Sequence, residues 1–515
     1  MSEQRKDPGG AAWVNAGGVE SELDPQFSIN AAIFARLPVE KQAALLAQAA
    51  RDRVNGNGPG RDDAAGDAGG DSVSVFDFRP EDGGILDAWL TLHGGRWLFA
   101  AGFEQWFSWA GTHWREDHGY ALLAEIQRLL DILNRQARAA VLAESERDKR
   151  RGLAAYVSAT RRSRARVASI EGMARNLRFV AGDELNSVGV LNLLNGVLDL
   201  QTFELRPHDP ADMLTYCLPY AFDPAATAPN WRQFLGSLDA EIVAFLREFA
   251  GYALTPDTRH EMAVWLYGPP GGGKSTFLGG LQAMLGPKAG VLGLADIERN
   301  RFSLADLPGK TLVVSAEQPG DFLASTHVLN AIISGEQVTV DRKFKSAVIV
   351  TPRAKVAWAM NDFPRVSDAN NGIFRRVKVV NFPAVPVGQR RPELKAAISA
   401  EGAGILNWAL RGLELLKRRG RFNIPAGVAA ATADFITQND IPANFVADCC
   451  TTGPDCRVNS SQLYEAYKRW AQKTGHKPQS STSIAGEWRR LGFERVRIAG
   501  KTVWKGVELS EELDL

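Results

Sequence analysis

Gly268-Pro269-Pro270-Gly271-Gly272-Gly273-Lys274-Ser275 follows the apolar run from Met262 to Tyr267 and leads into a helical pattern that begins near Ser275. Strand, glycine-rich loop, Lys-Ser and helix in that order form a phosphate cradle. The glycines let backbone N–H groups wrap phosphate oxygens, and the helix N-terminus adds positive dipole. Lys274 is placed to reach the β- and γ-phosphates and Ser275 to ligate Mg²⁺, with Thr276 next along the helix. A glycine-rich turn alone would explain the glycines, but not Lys-Ser at this spot. The stretch from Gly268 to Thr276 is therefore read as an ATP site.

Three further features line up downstream. Lys310 to Glu317 is an apolar strand ending in a carboxylate, so Glu317 can polarise an attacking water and help hold Mg²⁺. Lys355 to Asn361 is a second apolar strand, and its terminal Asn361 can hydrogen-bond a γ-phosphate or water without adding negative charge. Gly372-Ile373-Phe374-Arg375-Arg376 then offers an arginine that can neutralise phosphoryl charge on a neighbouring subunit's nucleotide. An arginine shared in that way implies a head-to-tail interface, which closes into a ring. Between the two strands, β-patterned runs flank Arg342-Lys343-Phe344-Lys345. This reads as a basic hairpin whose lysine grips phosphate while Phe344 contacts a base or sugar.

Phosphate loop, strand ending in Glu, basic hairpin, Asn strand and Arg-Arg, in that order, resemble the superfamily 3 helicases of the phage/plasmid primase-helicase family. Gly251-Tyr252-Ala253-Leu254-Thr255 and Asn361-Asp362-Phe363-Pro364-Arg365 carry the same likeness, and the span from about Trp89 to Phe222 resembles the poxvirus-type N-terminal module. The resemblance implies an α/β P-loop NTPase core, AAA+-like, with an α+β N-terminal module and a C-terminal winged helix. It implies catalytic roles for Lys274, Glu317, Asn361 and the arginine pair, with Arg376 best matching the finger position and Arg375 its close competitor. It also implies DNA contacts by Arg342, Lys343, Phe344 and Lys345, and a hexamer around single-stranded or forked DNA. One departure stands out: many relatives have a lysine in the helix before the hairpin, where this chain has Asn330.

The expected organisation is a flexible segment over 1–80 with a short helix (38–54), the poxvirus-type module over 81–230 and the ATPase over 231–395. A helical connector (396–425) and a winged-helix-like DNA-binding domain (426–515) follow. In the last of these, Leu463, Tyr464, Tyr467, Trp470 and Ala471 fall at helical spacing, and the alternating run 493–507 suggests a wing. A DNA-binding role and a packing or partner-binding role both suit that unit. The arginine-rich stretch from Arg147 to Arg166 suits either a solvated helix surface or a DNA-facing patch.

With 60 basic and 59 acidic side chains the net charge is +1, so attraction to nucleic acid must be local. Four cysteines in 515 residues fit a reducing compartment, and no apolar run is long enough to span a bilayer. The expected location is the cytoplasm of a bacterial host, without membrane contact. The stretch before residue 81 holds neither a zinc-ribbon cysteine set nor an acidic cluster in a folded context. Primer synthesis is therefore expected from a separate polypeptide, a primase or initiator working with this one. The functional expectation is an ATP-dependent replicative helicase of a phage, prophage or plasmid; the alternative is an origin-binding initiator or loader with little unwinding of its own.

Overall fold

The computed structural model describes residues 73–510, apart from 183, 187–188, 300–301, 319–321, 324–325, 343–344, 367–371, 390, 477 and 499. The expected helix over 38–54 and the linker after it lie outside the described residues. The chain forms two compact units: residues up to Val180 together with Asp209–Met213, and Ala181–His208 together with Leu214 onward.

In the first unit α1 (Asp82–His93) leads into β1 (Trp97–Ala100), β2 (Gln105–Trp109) and β3 (Trp114–Asp117). The helices α2 (Tyr120–Ala143), α3 (Arg147–Ala159) and α4 (Arg164–Leu177) follow, then β4 (Phe179–Val180), giving a sheet of order β3-β2-β1-β4. Two breaks separate these three helices, and Ser163 caps α4 by accepting from Arg166 N. On α2, Leu122, Ile126, Leu129, Leu130, Leu133 and Ala137 are buried, a stripe at helical spacing. The tryptophans between Trp89 and Trp114 fill much of the core: Trp97 Nε1 donates to Glu125 at 2.7 Å and Trp106 Nε1 to Glu171 at 2.8 Å, while the buried Nε1 atoms of Trp89 and Trp109 have no partner among the described residues. Several of the clustered arginines are clamps. Arg166 reaches Asp82 at 2.8 Å, and Arg162 reaches Asp131 at 3.0 Å.

The second unit begins with the antiparallel strands β5 (Val190–Leu193), β6 (Gly196–Asp199) and β7 (Leu205–Arg206), whose Leu191, Leu193 and Leu198 are fully buried. The tight turn between β5 and β6 is Leu194-Asn195, and Gly196 opens β6 opposite Leu193. Then come α5 (Pro229–Leu235), α6 (Ala240–Ala253), β8 (Ala263–Tyr267), α7 (Lys274–Leu285), β9 (Ala289–Val291), α8 (Leu294–Arg299), β10 (Leu312–Gln318) and β11 (Phe322–Leu323). After α9 (His327–Ser334) the chain makes β12 (Val338–Arg342), β13 (Lys345–Val350), β14 (Lys355–Met360), β15 (Arg365–Val366), α10 (Gly372–Arg376) and β16 (Val377–Asn381).

The main sheet is all parallel, in the order β16-β8-β14-β10-β9. Its strands are near-continuous apolar runs because helices cover both faces. Trp265 and Trp358 stack on one side, and Trp358 Nε1 donates to Leu292 O at 2.8 Å. The chain leaves β8 for the far edge, works back through β10 and β14, and finishes on the other side of β8. That order sets the carboxyl ends of β8, β14 and β10 side by side, the usual place for a ligand in an open α/β sheet.

The helices α11 (Leu394–Ser399) and α12 (Gly402–Arg419) follow, and α12 packs on α6. Next, α13 (Ala426–Asn439) lies against β16, with Thr432 Oγ1 accepting from Val379 N at 3.0 Å. The end of the chain is α14 (Ile441–Cys449), β17 (Cys450–Asn459), α15 (Ser460–Lys473), α16 (Ser481–Arg490), β18 (Glu494–Ile498) and β19 (Lys501–Leu509). Its antiparallel sheet runs β17-β19-β18. Helix, strand, two helices and a closing hairpin make a winged helix. Leu463, Tyr467, Trp470 and Ala471 are buried in it, and Trp488 packs edge-on against Trp504.

One buried charge makes a testable mark on stability. Lys288 lies 4.4 Å from the centre of the Tyr216 ring, and burial, with Lys310 nearby, pushes its ammonium down to about 7. An unfolded lysine titrates near 10.4. Between those values the unfolded chain binds the extra proton, so stability rises with pH by about 1.4 kcal/mol per unit from this group. The unfolding free energy should therefore climb more steeply from pH 7 to 9 in the wild type than in Lys288→Met. Equal slopes in denaturant titrations of the two would refute it.

Candidate nucleotide and DNA site

The site is built where β8 ends. Gly268 has φ of +144°, and a Cβ there would stand 2.2 Å from Phe382 O, so only glycine lets the loop leave the strand beside the end of β16. Gly273, at φ +92°, begins α7, and a Cβ on it would meet the ring of Phe234 at 2.7 Å. The helix starts at Lys274, one residue before the start read from sequence. Pro269, Pro270, Gly271 and Ser275 are exposed around the loop's mouth, Thr276 is half-buried and Gly272 is buried.

Lys274 is the centre of the arrangement. Its Nζ donates to Gly268 O, to Pro269 O at 2.9 Å and to Asn361 Oδ1 at 2.8 Å. Burial holds its ammonium below the usual lysine range. Asn361 follows directly on β14, next to β8 in the sheet, so parallel pairing brings together two residues that are 87 apart in sequence.

Glu317 stands exposed on β10, the strand on the other side of β14. The register of β10 with β14 shifts between Ser315 and Gln318, which turns this segment out of the regular ladder. Ser275 and Glu317 offer the hard oxygen donors that Mg²⁺ prefers. Among the described residues no cluster of three or more His, Cys, Asp or Glu side chains could hold a metal unaided. That donor set suits an ion carried largely by phosphate oxygens and water.

The expected hairpin is present. β12 and β13 pair antiparallel, with Arg342 opposite Lys345 at the tip. Arg342 is half-buried. Lys343 and Phe344 lie outside the described residues, as does the Lys345 side chain. Arg375 and Arg376 end α10; the first is exposed and the second buried.

Several residues near the site carry no sequence signal of their own. Phe234 borders the phosphate loop from α5. Gln318 accepts from Leu294 N at 3.0 Å while its buried Nε2 has no partner. Glu261, just before β8, pairs with both arginines. A glutamate at a strand entrance fits no motif, and only the fold brings it to Arg376.

Residues 87–239 match a family described as D5 N terminal like, and residues 266–376 match a family of unknown function, DUF5906. Among solved structures, the apo A form of the NrS-1 C terminal region is 12% identical, covering 83% of this chain and 99% of that one, with a TM-score of 0.46. Its 305–718 portion is 13% identical, covering 56% of this chain and 77% of that one, with a TM-score of 0.36. Superpositions this loose carry no inference about activity. The second match spans the phosphate loop, Glu317, the hairpin, Asn361 and the arginine pair. With the D5-like region ahead of it, the chain is similar over both regions to the D5-type primase-helicases.

Proposed function

We propose that the protein is an ATP-driven replicative DNA helicase of a phage, prophage or plasmid, working as a hexameric ring on single-stranded DNA in a bacterial cytoplasm. The observation that carries this reading is the Lys274–Asn361 hydrogen bond at 2.8 Å, at the ends of neighbouring parallel strands. It joins the phosphate-binding cation to a neutral side chain that senses a γ-phosphate. The backbone N–H groups of Gly271 to Thr276 and Lys274 bind phosphate oxygens. Ser275 and Glu317 would hold Mg²⁺, which neutralises phosphate charge, and Glu317 orients the attacking water. An exposed arginine from the next copy completes the site. The hairpin tip, Arg342 to Lys345, grips the DNA backbone.

The winged helix supports a further DNA contact. A groove of about 350 Å³ opens where the N-termini of α15 and α16 meet, lined by Ser461, Ser481, Thr482, Arg489 and Arg495, with the single acid Glu465. Hydroxyls, arginines and two helix N-termini suit a phosphate backbone. By this reading 426–515 is a DNA-binding domain after the 231–395 ATPase and the 396–425 connector. A separate primase or replication initiator is a partner that suits this reading. Among the described residues no helix is long and apolar enough to cross a membrane.

The test is strand displacement from a labelled forked duplex with ATP and Mg²⁺. Wild type should separate the strands. Glu317→Gln should bind ATP and DNA but turn over about 10²–10³-fold more slowly, as when a single group that stabilises the transition state is removed. ATP-dependent binding to duplex DNA without displacement would replace the helicase reading with that of an initiator or loader.

A further inference from the structure

Arg375 and Arg376 are adjacent in sequence, yet the fold gives them opposite surroundings. The Arg375 side chain is 68% exposed, and its contact with Glu261 is long, at 3.7 Å. The Arg376 side chain is 7% exposed. Its Nε donates to Ser334 Oγ at 2.9 Å, its Nη1 donates to Gly372 O at 3.0 Å, and its Nη2 meets Glu261 at 2.7 Å. A finger has to extend into another copy's site. Arg376 would have to leave a buried position and abandon three partners, one of them a carboxylate. Arg375 gives up almost nothing.

The three partners of Arg376 belong to three separate parts of the ATPase. Ser334 is the last residue of α9, just ahead of hairpin strand β12. Glu261 precedes β8, the strand that delivers the phosphate loop, and sits at φ +42°, an unusual backbone for a side chain of its size. Gly372 opens α10. The guanidinium thus spans from the root of the hairpin to the entrance of the nucleotide strand.

Asn330 adds to this. A Cβ on Gly372 would stand 3.0 Å from Asn330 Nδ2 and 3.3 Å from Arg376 Nη1, so the asparagine lies next to the guanidinium. A lysine there would bring a second cation to compete for Glu261. The neutral residue leaves Arg376 as the cation that binds it from the interior.

We propose that the pair divides its work. Arg375 is the arginine presented to the nucleotide of a neighbouring copy. Arg376 is a positioning residue inside its own subunit, tying hairpin position to the strand that carries the phosphate loop. This rests on the reading of the protein as a ring ATPase acting on DNA.

Subunit mixing with full-length chains tests it. Arg375→Ala and Lys274→Ala are each expected to be inactive alone. Mixed, they should regain turnover well above the average of the two, because one supplies the loop and the other the arginine. Arg376→Ala mixed with Lys274→Ala should give no gain over that average. Arg376→Lys, which keeps a cation against Glu261, serves if the alanine variant fails to fold. Ser334→Ala should keep its DNA-free turnover, while its stimulation by single-stranded DNA falls about two- to tenfold, the usual scale for a residue that couples two sites.

Rescue of the Arg376 variants by Lys274→Ala, or no rescue of Arg375→Ala, overturns the assignment of the finger. DNA stimulation in Ser334→Ala equal to wild type overturns the coupling role. Wild-type turnover in Lys274→Ala alone is a different failure, that of the ATPase reading itself.

Discussion

Lys274→Ala is expected to lower ATP turnover by about 10²–10³-fold or more, the cost of removing one preorganised group that meets developing charge. The ammonium is held by Gly268 O, Pro269 O and Asn361 Oδ1. These are neutral acceptors, and burial already disfavours the charge. Phosphate oxygens carry full negative charge, so the lysine gains by moving from one set to the other. Alanine removes that gain and leaves Asn361 without its partner. Lys274→Arg should do little better, because a rigid planar fork does not replace a compact ammonium among converging carbonyls. Folding should be spared in Lys274→Ala, since no packed apolar group is lost. Steady-state turnover beside a thermal melt checks both halves. Wild-type turnover in the alanine variant would sink the assignment of the loop.

The largest expected effect on stability lies away from the site. Helices α6 and α12 approach so closely that a Cβ at Gly412 would stand 2.0 Å from Arg247 O. One at Gly251 would stand 2.3 Å from Leu413 N and 2.6 Å from Ala409 O. Both clashes are with backbone, so no side chain can rotate away, and one helix must shift against a core that includes Phe249, Ala253, Leu406 and Leu413. Overpacking of this kind costs about 1–3 kcal/mol, and more when backbone has to move. The helix preference for alanine over glycine returns only about 1 kcal/mol. Gly412→Ala should thus destabilise by about 2 kcal/mol, and Gly412→Val should fail to accumulate as folded protein. The control is Gly486→Ala in α16, where nothing lies within 4 Å and a small stabilisation is expected. Denaturant melts that ranked these variants in the opposite order would discredit the close-packing argument.

Much of the site was legible in the sequence because its parts are local. The phosphate loop is a contiguous string, and Glu317 and Asn361 each end an apolar run, so their order along the chain places them once the strands are taken as parallel. The sequence also announced the hairpin and the winged helix, through alternation and helical spacing that the cores of both units repeat. What was not legible depends on distant partners. The family resemblance favours Arg376 as the finger, but its burial is set by Glu261, far earlier in the chain, and by Ser334. The start of the third helix in 120–177 is marked by a serine cap at Ser163, a single residue within a run of good helix formers. The two glycines at the α6–α12 crossing look like weak points in helical patterns until the second helix is seen.

The D5-like match ends at 239, yet the chain passes from the first compact unit to the second at Val180 and returns for Asp209–Met213. Between those points, Leu191, Leu193 and Leu198 sit in the same apolar core as Phe277 and Leu281 of the nucleotide helix. The stretch inherited as one domain is thus spent on two folding units. A recombination event that swapped the N-terminal module at its family boundary would remove part of the ATPase's own interior. The two regions can be expected to travel between genomes as a pair, held together by shared packing and not only by shared purpose.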